Sequence, residues 1–586
     1  MAAKRNKRAK RVEREQAKLP SFAARRYGVL GLFALAAGVL VWRAVDQQIL
    51  EKDFLQSEGA DRYLDRVEMV AHRGLITDRR GDVLALSTPV DSVAANPRVL
   101  RADSPALGEL AKALEMPLDD LRRKLARYSQ KRFVYLKRRL PPAEAQYVLE
   151  VARANELAGV QLEREYRRYY PTGEVFSHLL GFTNRQDEGQ EGLELAYDEA
   201  LSGANGAKLV MRDGRRRAVD DVENIHSPRD GKNLALSLDG RLQYIAYREL
   251  KAAVKRNRAI GGSAVILDAR SGEVLAMVNQ PGYNPNGSRS SEGGRLRNRA
   301  LTDVFEPGST MKPFAVAAAL ELGVVKPSEV IDTAPGYFKV GAATVRDHHN
   351  LGKISLQDLL GHSSNVGAAK VALAMDREDY WQLLDGFGFG EPISTGFPAE
   401  ASGQLIPWRN WAQIDQATLS FGYGLSVSAL QLARAYAVLA NDGLSVPVSL
   451  LKLNELPRPT RVITDRTAVD VRHMLESVVL PGGTAPQAAI PGYRVSGKTG
   501  TVKKIGANGY SENRYVSVFA GMAPLADPRL VMVVMVDEPR GKQFYGGQVA
   551  GPVFSKVMGE ALRLLNVRPD ALQTPQARLA QLGGAQ

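Results

Sequence analysis

One run constrains this chain more than any other. From Tyr27 to Trp42 there are 16 residues without a charge, GVLGLFALAAGVLV held between two aromatic residues, and Arg43 closes it. A span needs about 20 residues at 1.5 Å rise, and flanking arginines snorkel to shorten that need. Aromatic residues at both ends suit the two interfaces. The run has no amphipathic stripe that would make it the surface helix of a soluble domain. Residues 1–26 carry ten basic side chains against Glu13 and Glu15, an excess of +8 out of a net +14, while Asp46, Glu51, Asp53 and Glu58 follow the run. The positive-inside rule therefore predicts a cytoplasmic tail and the export of about 540 residues. A cleaved signal peptide is the rival reading, but the basic leader is long for one and no small-x-small pair precedes a cut after Trp42. A retained single-pass anchor is the expectation.

With so much of the net charge in the tail, the composition does not point to a globular nucleic-acid-binding surface. At 586 residues, 44% hydrophobic, the chain is long enough for more than one core. It has no cysteine, which excludes disulfides, thiol catalysis and Cys-ligated metals. His348-His349 stand too close to supply two ligands from one helix face, so neither a metal nor another cofactor is expected.

Beyond the anchor, 46–70 reads as a polar connector. Val83-Leu84-Ala85 and Val90–Ala94 read as short strands broken at Gly81 and Pro89. Helices are expected around 105–127 and 141–155, the second begun by Pro141-Pro142. Composition shifts at about 225–240. Asn233–Asp239 reads as a strand and 240–256 as a helix. Ser263–Asp268 and Glu273–Asn279 form a hairpin; Tyr515–Ala523 and Leu530–Asp537 are late strands, and a closing helix covers about 552–565. An antiparallel sheet with helices on each side is the coarse picture. The last 20 residues read as a loose tail.

Three short fragments carry chemistry. In Ser309-Thr310-Met311-Lys312, the serine and lysine lie one helical turn apart, so the amine reaches the hydroxyl. Gly308 permits a sharp turn and an alanine-rich run follows, which puts Ser309 at a helix N-terminus where N–H groups favour a developing oxyanion. Burial near that positive end disfavours the Lys312 ammonium, which suits a general base. Alone, the fragment fits a capping serine and a solvated lysine as well. Ser363-Ser364-Asn365 supplies a hydroxyl able to relay a proton and an amide able to orient a peptide, or else a plain helix cap. Lys498-Thr499-Gly500-Thr501, as an edge strand, offers hydroxyls and an ammonium for a carboxylate, an N–H for an oxyanion, and at Gly500 room for a substrate backbone; a turn-rich hairpin is the bland reading. The three occur in order, 54 and 135 residues apart, which makes a chance set improbable. The pattern S-x-x-K, S-x-N, K-T-G is the signature of penicillin-binding proteins and serine β-lactamases.

Longer stretches sharpen the resemblance: HRGLITDRRGDVLA (72–85), RYYPTGEVFSHLLGFT (168–183), EGLELAYD (191–198), NRALTDVFEPGSTMKPF (298–314), SSNVGAAKVA (363–372), SFGYGLSVSALQLARAYAVLANDG (420–443) and FYGGQVAGPVFSKVM (544–558). The chain resembles class B penicillin-binding proteins, most closely the septal peptidoglycan D,D-transpeptidases of Gram-negative bacteria, FtsI type. The resemblance implies an α+β multidomain protein: basic cytoplasmic tail 1–26, transmembrane anchor 27–45, mixed periplasmic pedestal 46–228, β-lactamase-like transpeptidase domain 229–566 and C-terminal tail 567–586. It implies that Ser309 attacks a D-Ala-D-Ala carbonyl with Lys312 as base, that Ser363 assists the leaving group, and that Asn365 holds the donor peptide. Lys498, Thr499 and Thr501 would bind the terminal carboxylate beside Gly500. Tyr515, Phe544 and Tyr545 would wall the cleft, with core packing as the alternative for Tyr515. The implied partners are peptidoglycan stem peptides, β-lactams as inhibitors, an FtsW-type glycan polymerase and other division proteins, at the inner membrane. No glycosyltransferase domain fits before residue 229. Rival readings are an elongation-type transpeptidase, a catalytically silent scaffold, and a serine β-lactamase, against which the missing E-x-x-L-N stretch counts.

Overall fold

The computed structural model describes residues 23–54, 63–212, 218–287, 293–506 and 509–571. Most of the basic tail and the C-terminal residues 572–586 lie outside them. The apolar run forms the helix Ala23–Val45, whose side chains are exposed from Ala24 onward, Leu30, Phe33 and Trp42 among them. Its 23 residues reach about 34 Å, enough to cross a hydrocarbon layer. The chain divides into two compact units. The smaller holds this helix and a three-stranded antiparallel sheet in which Gly206–Arg212 lies between Leu64–Met69 and Ala218–His226.

The larger unit comprises 72–203 and 230–571 of the described residues. In its N-terminal part the strand Val83–Ala95 pairs with Ile76–Thr77 at its start, with Val134–Leu140 from Asp91 onward, and with Val160–Tyr169 from Leu86 to Ala95. The expected break at Pro89 does not occur. Pro89 continues the strand opposite Tyr166, in the stretch between the end of the first pairing and the start of the second. Helices Leu107–Ala113, Leu118–Arg127 and Pro142–Ala154 cover this sheet with Leu110, Leu121, Leu125 and Val148. The expected helix over 105–127 is two, because Pro117 disfavours helical geometry at the residue before it.

The C-terminal part is built on five antiparallel strands: β1 (Gly261–Asp268), β2 (Val274–Gln280), β3 (Ser496–Gly506), β4 (Gly509–Ala523) and β5 (Leu530–Asp537). Their order is β2-β1-β5-β4-β3, which leaves β3 an edge strand. Every residue of β1, β2 and β5 is buried, so both faces are covered, since successive side chains point to opposite faces. Helices Gly240–Arg256 and Gly551–Leu564 pack together on the sheet, and Ala429–Ala440 packs on it with Asp465–Glu476. The helix Lys312–Glu321 is buried on every side from Lys312 to Ala319, which its alanine-rich sequence allows. Phe314 locks it edge-on against Phe387, Phe389 and Tyr436. Asn233–Asp239 contributes only the two-residue strand Leu234–Ala235. The first residues of the expected loose tail are fixed: Asp570 accepts from the backbone N–H groups of Arg494 and Ala526, and Tyr493 donates to the Val567 carbonyl.

Three stretches that carry the resemblance meet at one buried charge cluster. Glu194 accepts from Arg73 at 2.7 Å and from Arg168 at 2.6 Å, and all three side chains are at most 2% exposed. Breaking a buried ion pair leaves an uncompensated charge, which costs about 3 kcal/mol or more. Glu194→Gln is therefore expected to lower the stability of the larger unit by that amount, read as a shifted midpoint in chemical denaturation; a midpoint within experimental error of wild type contradicts a structural role for the cluster.

Candidate active site

Ser309 lies in the single 3-10 turn Gly308–Met311 that runs directly into the buried helix Lys312–Glu321. The turn rests on the edge strand β3, and two glycines make the approach possible. A Cβ on Gly500 would stand 2.8 Å from the Pro307 carbonyl oxygen, and one on Gly422 would stand 2.1 Å from that of Gly308. The room at Gly500, expected to serve a substrate backbone, is used instead by the turn that carries Ser309. Gly308 itself has φ +57°, the left-handed region that glycine adopts without strain.

Lys312 begins the helix with its amine wholly inside the protein. Four oxygens surround Nζ: Ser309 Oγ at 3.0 Å, Ser363 Oγ at 3.0 Å, the Ser363 carbonyl at 2.6 Å and Asn365 Oδ1 at 2.7 Å. The last two only accept. A neutral amine gives them its two N–H groups and turns its lone pair toward the serine hydroxyls. Burial pushes Lys312 well below its ordinary pKa; the nearby Lys498 adds to this and Asp347 opposes it.

The alternatives left open for Ser363-Ser364-Asn365 are shared between adjacent residues. Ser364 is the helix cap, accepting from Gly367 N–H at 2.9 Å. Ser363 lies just before the cap with φ +63°, a conformation that costs a non-glycine residue about 1 kcal/mol or more. That twist gives both its hydroxyl and its carbonyl to Lys312. Asp347 secures the segment by accepting from Ser364 Oγ at 2.6 Å and from the backbone N–H groups of Asn365 and Val366. Asp347 had no local sequence signal, standing 18 residues from Asn365; its neighbours His348 and His349 are exposed.

Lys498 and Thr499 lie on β3, the lysine fully buried. Its nearest acceptors are the Thr499 hydroxyl and carbonyl at 3.4 and 3.5 Å, long for a charge-assisted bond. Burial brings Lys498 down to about 7. Thr499 Oγ1 shares a hydrogen bond with Thr484, and Thr501 Oγ1 accepts from Gly546 N–H at 2.9 Å, tying β3 to the segment after Phe544-Tyr545. Tyr515, Phe544 and Tyr545 stack in sequence, each pair of rings 4.5 Å apart. Tyr515 and Phe544 are half-buried and Tyr545 is exposed, a stacked wall rather than core. Sequence reasoning also missed Glu306, which accepts from Tyr510 and from Gly424 N–H.

The penicillin binding protein transpeptidase domain matches residues 262–559, and the penicillin-binding protein dimerisation domain matches 68–236. Peptidoglycan D,D-transpeptidase FtsI of Escherichia coli K12 is 41% identical over 94% of both chains. The probable peptidoglycan D,D-transpeptidase PenA of Neisseria meningitidis serogroup A is 40% identical over 95% of both. Among solved structures, the transpeptidase domain of penicillin-binding protein 3 from Burkholderia pseudomallei is 47% identical, covering 57% of this chain and 97% of its own, with a TM-score of 0.53. Penicillin-binding protein 3 from Mycobacterium tuberculosis, complexed with aztreonam, is 28% identical over 86% of this chain and 98% of its own, with a TM-score of 0.67. The chain belongs to the class B penicillin-binding proteins.

Lys312 serves as a base only when deprotonated, and its pKa lies well below 10.5. Acylation by a penicillin is therefore expected to fall as pH drops through that lowered value and to level off above it, well short of the ordinary lysine range; a rise that continues to pH 10.5 contradicts this. Lys498 titrates near 7 in the free site and is pulled upward by a carboxylate. At about pH 8, one unit above that value, binding of a carboxylate-bearing ligand should take up close to one proton. Calorimetry in buffers of different ionisation enthalpy measures that uptake, and a value of zero contradicts Lys498 as the anchor.

Proposed function

We propose that this chain is a peptidoglycan D,D-transpeptidase of the division septum, working through an acyl-enzyme on Ser309. The observation that carries the reading is the buried Lys312 amine between the hydroxyls of Ser309 and Ser363. Ser309 Oγ attacks the carbonyl of a D-alanyl-D-alanine peptide while its proton passes to Lys312 Nζ. The proton continues through Ser363 Oγ to the departing nitrogen, the C–N bond breaks, and D-alanine leaves. An amine of a neighbouring stem peptide then attacks the ester, returning the hydroxyl to Ser309 and forming the cross-link. Asn365 orients the donor peptide, and Lys498 with the hydroxyls of Thr499 and Thr501 holds its terminal carboxylate. The stacked Tyr515, Phe544 and Tyr545 line the cleft. A β-lactam acylates Ser309 as a substrate mimic.

The exposed apolar helix and the basic residues before it support a single-pass inner-membrane anchor, with cytoplasmic N-terminus and periplasmic catalytic part. The dimerisation-type region before the catalytic domain is the proposed seat of an FtsW-type polymerase and other division proteins. A fluorescent fusion of the full chain should gather at mid-cell; an even distribution along the side wall favours the elongation branch.

The decisive experiment treats the protein with a fluorescent penicillin, maps the adduct and follows its decay. A long-lived adduct on Ser309, absent from Ser309→Ala, is expected. An adduct that turns over in seconds makes the chain a β-lactamase, and labelling that survives Ser309→Ala overturns the assigned nucleophile.

A further inference from the structure

A cavity of about 840 Å³ lies away from the catalytic residues, in the N-terminal part of the larger unit. Lys124, Arg138, Arg139, Arg167 and Arg185 all line it, and no acidic residue among the described ones does. Adjacent residues of a regular strand point to opposite faces, so Arg138 and Arg139 should diverge. A bulge prevents this. Asp91 pairs with Leu140 and Val93 with Lys137, leaving Ser92 alone opposite both arginines. Arg139 takes φ +62° there and donates its backbone N–H to Ser92 Oγ at 3.0 Å. Strain of this kind in a non-glycine residue collects at functional positions.

The charges are only partly answered. Glu165 binds Arg138 at 2.9 Å and stands 3.8 Å from Arg139. Arg139 gives one terminal nitrogen to the Arg185 carbonyl, while its buried Nε makes no hydrogen bond and faces Glu165 at 3.8 Å. Burial, with Arg138 and Arg167 adding to it, works against the charge of Arg139, while Glu165 and Asp187 support it. Five cations line the cavity, and Glu165 and Asp187 are the carboxylates that act on Arg139. A cavity of this size falls within the range that small ligands fill, and guanidinium groups match carboxylate and phosphate oxygens two at a time.

We propose that this cavity binds an anion carrying two or more negative groups, held by Arg139 together with Arg167 and Arg185. Two sources share that chemistry: the carboxylates of a stem peptide and the pyrophosphate of a lipid-linked precursor. The site itself stands apart from the catalytic reading; only the choice of the stem peptide as a probe rests on it.

The test uses the full chain in neutral detergent after treatment with penicillin, so that the catalytic cleft is closed. Inorganic pyrophosphate and a free stem tripeptide are titrated separately by calorimetry. One of them is expected to bind at one site per chain, more weakly as salt rises. Arg139→Gln should loosen it about tenfold or more, the effect of losing one charge-assisted contact. The double variant Arg167→Gln/Arg185→Gln, on exposed side chains, should loosen it similarly with unchanged melting temperature. Both variants should keep the wild-type rate of Ser309 acylation. Binding of neither probe, or equal binding by wild type and both variants, overturns the proposal. Loss of acylation in the wild-type protein strikes instead at the catalytic reading.

Discussion

The site depends on keeping one amine dry. A lysine enclosed in protein would ordinarily be expelled or paired with a carboxylate. Lys312 is instead given four neutral oxygens, two of which can only accept, so its neutral form is the one the surroundings satisfy. Much else follows. The helix that begins with Lys312 is buried all round because its first residue must be. Ser363 holds a left-handed backbone because only then do its hydroxyl and carbonyl reach the same nitrogen. Asp347 is spent on the Ser364 hydroxyl and the Asn365 and Val366 N–H groups rather than on the lysine, which keeps a full negative charge from pairing with Nζ.

Features set by local chemistry were legible in the sequence. The helix Gly240–Arg256 and the β1–β2 hairpin follow from periodicity and turn residues, and the anchor from an uncharged run. Ser309, Lys312, Ser363 and Asn365 were found by motif and spacing, and the structure brings them together. What stayed hidden depends on distant partners. Pro89 reads as a break until the long strand Val160–Tyr169 is seen to pair straight through it. Gly500 reads as a gap for ligand until the 307–310 turn is seen against it. Asp347 has no signature at all, since its partners arrive 17 to 19 residues later. The small sheet escaped for the same reason: Leu64–Met69 finds Gly206–Arg212 across most of the intervening region.

Two collections of arginine in the larger unit show how charge separates architecture from recognition. Arg73 and Arg168 enclose Glu194 with short bonds and almost no exposure, so that cluster is shut away from solvent even though Arg168 keeps one terminal nitrogen without a partner. Around Arg139 the cations converge by means of a bulge, and they line a cavity. The first arrangement is sealed within the chain. The second opens outward, to something the protein meets.

The strand order β2-β1-β5-β4-β3 has a consequence for how the molecule comes into being. β1, near residue 265, finds its inner neighbour only at β5, near residue 533, and the edge strand under Ser309 joins the sheet through β4. On a chain synthesised from its N-terminus, the Ser309 turn, complete at residue 311, therefore waits for the strand that ends at residue 506 before it has the surface it rests on. Pairing across so many residues comes late in folding, after the loop between has been closed. Ser309, encoded midway along the chain, gains its surroundings only when nearly the last strand is in place, so an unfinished polypeptide has the motif without the assembled site.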